Sequence, residues 1–597
     1  MADAFRRFVP EPVADVALSG GGAENPALFD AIVSRLSPHP YGDSRRCSSR
    51  ARPRKPSFAL LGHLFLDRRA GNVPTVTGAR GPRVLGKLTP ASELSQLLIP
   101  SIRWDPVDGF DREAERAERS LTLGVGGFIL FGGTTDAVGA LTRHLLASSN
   151  TPLLIMSDLE RGAGQQFAGA TGLPPLGAVG AIDDEALTRA AARLTAREAA
   201  AVGVRTVLAP VADVDLTPQN PIVGTRAFGS DVDRVARQVH QWIDSCQAEG
   251  VMACAKHFPG HGRTVTDSHA ELPVVTATEA ELLDTDLMPF RSAVRANVAA
   301  IMTAHVAYPA LDYTRAPATL SRRIMRDLLR DRLGFNGIVM TDAMIMSGVL
   351  GDGDEGNAGL RALDAGCDLL LYPQSPDDVV RALEGGIRSR ALSAREVERS
   401  LERRYTWGEW CASRPSVAEA TPADREAARQ LCARAIRVVQ GDTPEIARAV
   451  DLIIIDDDVG GPYQAPSRQP LLDALRQRGV DLQVIHELAP RVLMSSPPDG
   501  TQSLPTLQGK LRPSASLMVL AFNDIRAWKG MPGFSAYASA LLTHVVAEAE
   551  RLGREAVVVT FCHPRLTDAL EARCVVNAWG GELPMQLAVA EWLRVPV

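Results

Sequence analysis

No stretch of this sequence reaches the roughly 18 consecutive apolar residues that a membrane-spanning helix needs, so a membrane protein is not expected. The first 30 residues lack an apolar segment ahead of a small-residue cleavage site, which predicts a cytoplasmic chain rather than an exported one. Cysteine is sparse and scattered, at Cys47, Cys246, Cys254, Cys367, Cys411, Cys432, Cys562 and Cys574, with no C-x-x-C pair. A disulfide framework and a thiolate zinc site are thereby excluded as expectations, leaving reduced and mostly buried thiols. Charge of either sign is not in excess either. A net charge of −6 leaves no electrostatic footprint for nucleic acid or an anionic membrane, and a monomer or homodimer is expected.

What is present is a globular composition, 45% hydrophobic and 22% charged, over 597 residues. That is too long for one ordinary core, so two or more domains are expected. Residues 37–56 are rich in Pro, Ser and Arg and carry no hydrophobic period. They lead us to expect a disordered or loosely packed extension over residues 1–90.

From Leu97 the character changes. Apolar runs recur at 97–102, 127–131, 153–158, 206–214, 251–258, 299–306, 337–344 and 368–373, separated by helical patterns such as ALTRAAARLTAREAAAVG. Continuous rather than alternating runs suit parallel strands buried on both faces. Eight such strands alternating with helices predict a (β/α)8 TIM-type barrel over residues 91–412; an open doubly wound sheet would share the pattern. The polar residues Asp158, Asp213, Lys256, His257, His305 and Asp342 cluster at the ends of these runs, where such a barrel assembles its site. After a Pro/Ala/Ser-rich join the alternation restarts at 449–456, 480–485, 516–522, 555–561 and 574–579. This predicts a smaller α/β domain over 420–597 with a mainly parallel sheet.

The segment Lys256-His257-Phe258-Pro259-Gly260-His261-Gly262-Arg263-Thr264-Val265-Thr266-Asp267-Ser268-His269 packs three histidines and an aspartate into one Gly/Pro-broken loop. Two chemistries fit. His257, His261, Asp267 and His269 are suitable metal ligands, although such a loop lacks the i, i+4 helical spacing of familiar histidine pairs. Alternatively, Lys256 and His257 donate to a polar substrate while Asp267 orients His269 for proton transfer.

The segment resembles the loop motif K-H-F-P-G-H-G-x-T-x-x-D-S-H of the β-N-acetylglucosaminidases of glycoside hydrolase family 3, with every fixed position present. The resemblance extends over about residues 95–410, through LGVGGFILFG, SDLERGAGQQF, APVADVD with TRAFG, and GIVMTDAM. It implies a retaining hydrolase of terminal β-linked N-acetylglucosamine on cell-wall or chitin-derived saccharides, with no cofactor and no metal. Asp342 is then the nucleophile, His269 with Asp267 the acid/base dyad, and Asp158, Arg226, Lys256 and His257 the sugar-binding residues. Three positions depart from the family: Arg263 where an acidic residue is common, Arg161 for a Gly in the D-x-E-G region, and Gln166 where many members carry an arginine. A neutral histidine base avoids repelling an anionic acceptor, so phosphorolysis is an alternative, as is a β-glucosidase on the same scaffold.

Overall fold

The computed structural model describes residues 91–597, apart from 352, 415–417, 461–465, 493–503, 526–528, 569 and 597. The extension expected over 1–90 lies outside the described residues. Strands β1 (Leu98–Ile99), β2 (Ser101–Arg103), β3 (Gly127–Phe131), β4 (Leu154–Ser157), β5 (Thr206–Val207), β6 (Met252–Phe258), β7 (Ala300–Thr303), β8 (Ile338–Met340) and β9 (Leu370–Leu371) lie in the first half of this stretch. Strands β2 to β8 form one sheet in strict chain order, every neighbour parallel, and β1 pairs with β9. This is the expected α/β class, with a curled parallel sheet.

The curl follows from burial on both faces. Residues two apart along a strand share a face. Ile129 and Phe131, Leu154 and Met156, Met252 and Cys254, Ala300 and Met302, and Ile338 and Met340 form one apolar cluster inside the curl. Their neighbours Phe128, Leu130, Ile155, Ala253, Ala255, Ile301 and Val339 belong to a second, larger cluster, shared with the crossover helices. The two edges of the sheet are linked through β9 and β1: Thr341 N–H donates to Leu369 O at 3.0 Å, Tyr372 N–H to Ile99 O at 2.8 Å and Ile129 N–H to Pro100 O at 3.0 Å.

Several expected strands are shorter than their apolar runs, most of all that at 206–214. TVLAPVADV makes only the two-residue β5, because Pro210 has no N–H for the ladder. The chain beyond it still follows β6, with Cys254 N–H donating to Ala209 O at 2.9 Å, Lys256 N–H to Pro210 O at 3.2 Å and Ala212 N–H to Lys256 O at 2.6 Å.

The second half holds β10 (Arg437–Gln440), β11 (Ala449–Asp456), β12 (Val459–Gly460), β13 (Asp481–Leu488), β14 (Arg491–Val492), β15 (Ser516–Phe522), β16 (Ala556–Phe561) and β17 (Cys574–Asn577). Its six-stranded sheet runs β10-β17-β16-β15-β11-β13, and β12 pairs with β14 alongside. All of its pairings are parallel except that of β10 with β17. The sequence reading had no place for β10: RVVQ is mostly exposed, so it carries no buried apolar run. No helix of the described residues is long and apolar enough to cross a membrane.

Arg404, on the helix Ala394–Ala412, is fully buried beneath the curled sheet. It donates to Gln96 Oε1 and Gly126 O, each at 3.0 Å, and to Pro152 O. Burial pulls its guanidinium down to about 10. Arg404→Met leaves two buried carbonyls without a charged donor, which costs about 3 kcal/mol of unfolding free energy. A urea unfolding curve should shift to a lower midpoint with an unchanged slope; an unchanged midpoint would contradict this role.

Candidate active site

The two-residue period that fills the curl also aims the site. One step beyond Met156, Cys254 and Met340 on the inner face stand Asp158, Lys256 and Asp342. Cys254 Sγ lies 3.8 Å from Met340 Sδ, so the layer beneath the three polar residues is closed and apolar. All three project from the C-terminal ends of their strands.

Lys256 is only 2% exposed, and an ammonium removed from water must be paired. Its Nζ lies 2.6 Å from Asp158 Oδ1 and 2.7 Å from Glu160 Oε1. Glu160 also accepts a bidentate pair from Arg226, at 2.9 Å from Nε and 2.7 Å from Nη2. Burial works against every charge in this group. Attraction outweighs it: Arg226 and Lys256 hold the Glu160 carboxyl well below its ordinary value, and Asp158 and Glu160 raise the Lys256 ammonium.

His257, next on the strand, has its own carboxylate. Its Nδ1 lies 2.7 Å from Asp213 Oδ2, and Asp213 Oδ1 accepts from the backbone N–H groups of His257 and His261. The loop that follows closes tightly on the 213–229 segment. A Cβ on Gly262 would lie 1.7 Å from Val214 O, so only glycine permits this approach. Asn220 Nδ2 donates to His261 O at 2.9 Å. His261 is 2% exposed and has both nitrogens occupied, Nδ1 2.8 Å from Thr264 Oγ1 and Nε2 3.1 Å from Ser268 Oγ.

At the far end of the loop, His269 Nδ1 lies 2.7 Å from Asp267 Oδ1, which also accepts the His269 N–H at 2.9 Å. Asp267 is buried and His269 half-buried. The carboxylate at Nδ1 fixes the orientation of the imidazole ring. Asp342 Oδ1 accepts from Ala343 N–H at 2.7 Å. Burial alone would raise its carboxyl, but the imidazoles of His257, His305 and His269, with that N–H, bring it down to about 2. Asp342 is therefore an anion across the neutral range, in the electrostatic reach of His269.

At the end of the curled sheet the structure joins Asp158, Lys256 and Arg226 in one network and Asp267 with His269, while Asp342 lies within electrostatic reach of His257 and His269. Among the described residues, no group of three or more His, Cys, Asp or Glu is placed to hold a metal ion. His261 in particular has no nitrogen to spare for the four-ligand arrangement. Three residues had no assigned role in the sequence reading. Glu160 joins Lys256 to Arg226, and its signal was the alternation Asp158-x-Glu160. Asp213 and His305 were noted only as strand-end polar residues; His305 bonds Thr319 Oγ1 at 2.7 Å and Ala343 O at 3.2 Å, bracing the turn after Asp342.

Residues 91–406 match the family model described as the glycosyl hydrolase family 3 N terminal domain. Residues 1–91 match another, described as anhydro-N-acetylmuramic acid kinase. The chain is 34% identical over 292 residues to the β-N-acetylglucosaminidase/β-glucosidase of Cellulomonas fimi, an alignment covering 47% of this chain and 51% of that one. It thus spans about half the length of that relative. It is 38% identical over 273 residues to a β-hexosaminidase of Thiobacillus denitrificans, covering 44% of this chain and 75% of the other. Among solved structures, the glycoside hydrolase family 3 β-N-acetylglucosaminidase of Paenibacillus sp. str. FPU-7 superimposes with a TM-score of 0.72 at 26% identity. That superposition covers 85% of this chain and 98% of the other.

Burial lowers the His261 imidazole to about 4, against the pull of Asp213. An unfolded histidine takes up its proton near 6.5. Between these values the unfolded chain binds more protons than the folded one, so stability falls as pH drops from about 6.5 to 4. The share due to His261 is at most about 3 kcal/mol, and His305, also lowered by burial, adds to the same slope. Urea unfolding across that window should show the decline, and His261→Gln should flatten it. An identical slope in the variant would contradict the assignment.

Proposed function

We propose that this chain, which belongs to glycosyl hydrolase family 3, is a retaining exo-β-N-acetylglucosaminidase working through a covalent glycosyl-aspartate. It is a glycoside hydrolase by family, and its β-hexosaminidase relatives point to terminal N-acetylglucosamine as the sugar released. The observation that carries the mechanism is an ionised Asp342 within electrostatic reach of His269, which is hydrogen-bonded to Asp267.

In the first step the Asp342 carboxylate attacks the anomeric carbon. The glycosidic C–O bond breaks, and the leaving oxygen takes the proton from His269 Nε2. In the second, His269 accepts a proton from water, whose oxygen bonds the anomeric carbon and releases Asp342. Asp267 keeps Nδ1–H pointed away from the reaction and stabilises the imidazolium. Lys256, His257, Arg226 and Asp158 bind the sugar hydroxyls, and no step calls for a metal or cofactor.

The hydrogen bonds that join the sheet edges through β9 and β1 support reading residues 91–412 as a (β/α)8 barrel, with residues 420–597 as a separate α/β domain. The similarity of residues 1–91 to anhydro-N-acetylmuramic acid kinase favours cell-wall saccharides over chitin fragments, and with them a role in peptidoglycan turnover. Buried free thiols are consistent with the cytoplasm.

The test is release of the chromophore from an aryl β-N-acetylglucosaminide, beside the β-glucoside and with or without phosphate. We expect cleavage of the amino sugar, no acceleration by phosphate, and a loss of at least about 10³ in kcat in Asp342→Asn. His269→Ala should lose about 10² to 10⁴ on a substrate with a poor leaving group and less on an activated aryl glycoside, which departs without a proton. Sugar phosphate formation would move the reading to phosphorolysis, and an active Asp342→Asn would end it.

A further inference from the structure

Two loops that carry the sugar-binding residues are gripped from outside the first sheet. The grips come from adjacent strand ends of the second sheet. In the first, Arg161 follows Glu160 directly and turns away from the site. Its Nη1 and Nη2 meet Asp524 Oδ2 and Oδ1 at 2.9 and 3.2 Å, just past the end of β15, and it also pairs with Glu582. Arg161 is 9% and Asp524 5% exposed, so the pair is shielded from solvent, and a buried bidentate pair fixes geometry as well as charge. Asp524 is itself tied to its sheet: its N–H donates to Asp458 Oδ1 at 2.6 Å, and Asp458 pairs with Arg468.

In the second, Asp215, two residues past Asp213, takes Arg565 Nη2 at 2.7 and 2.6 Å and His563 Nε2 at 3.1 Å, both from the end of β16. Beside it, Ile525 presses on Gly224, where a Cβ would lie 2.2 Å from its Cδ1. Gly224 is two residues before Arg226. The first grip thus ends on Glu160 and the second on Arg226, the two members of one bidentate pair.

We infer that Asp524 is a positioning residue for substrate binding: through Arg161 it sets the place of Glu160, and with it Lys256 and Arg226. The inference rests on the reading of Lys256 and Arg226 as sugar ligands. Arg161 departs from the family glycine, and the departure acquires a purpose, because glycine offers no side chain for the second sheet to hold.

The experiment measures kcat and KM on the aryl β-N-acetylglucosaminide for the full chain and for Asp524→Asn, Arg161→Lys and the conservative Asp524→Glu, each checked by near-UV circular dichroism and thermal melting. The expected result is a KM raised about tenfold in Asp524→Asn and Arg161→Lys, with kcat within about threefold and an unchanged pH profile. Asp524→Glu should recover most of the loss, because it keeps the charge. Folded variants with the parent KM would overturn the inference alone. So would loss of folding in both, since the pair would then hold the fold rather than the loop. A parent chain that cleaves no N-acetylglucosaminide would instead sink the functional reading, and this inference with it.

Discussion

The arrangement turns on a buried cation. Lys256 stands two residues before the end of β6 with almost no exposure, and desolvating an ammonium is tolerable only beside compensating negative charge. Asp158 and Glu160 supply it. Because Glu160 carries a second cation, Arg226, the compensation becomes a network that joins β4, β6 and the turn Gly224–Arg226. Its members cannot be moved independently, so their geometry is held by the protein itself. His257, the next residue, repeats the arrangement with Asp213.

The surroundings of Asp342 work by a different balance. Asp342 sits where burial would favour its neutral form, and the surrounding imidazoles reverse that preference. A nucleophile must stay ionised and an acid/base group must exchange its proton. On the proposed mechanism Asp342 fills the first role, and its surroundings suit it. Histidine in place of a second carboxylate fits this balance, because a second anion beside Asp342 would raise its carboxyl rather than lower it.

Much of this was legible in the chain. Continuous apolar runs marked the strands because a parallel sheet buried on both faces leaves no polar alternation to confuse them. The step of two from Met156, Cys254 and Met340 to Asp158, Lys256 and Asp342 is a property of any strand. Asp267 and His269 could be paired from their spacing because the hydrogen bond is local. What stayed hidden depends on distance along the chain. The contact of Arg161 with Asp524 spans 363 positions, and the link from β8 through β9 to β1 joins the two ends of the first region; neither leaves a local mark. β10 was missed because an exposed edge strand has no apolar signature. Composition over residues 37–56 pointed to a loose tail, and the kinase similarity of residues 1–91 lies in positions that composition does not weigh.

The covalent role of Asp342 is the claim on which the rest converges, and intact-protein mass spectrometry tests it most directly. His269→Ala, mixed with an activated aryl β-N-acetylglucosaminide and quenched within a turnover, should form the glycosyl-enzyme and release it slowly, since water then lacks its base. The account predicts a mass gain of one N-acetylglucosamine residue, mapped by peptide fragmentation to Asp342. Continued turnover with no adduct, or an adduct on another residue, would contradict it.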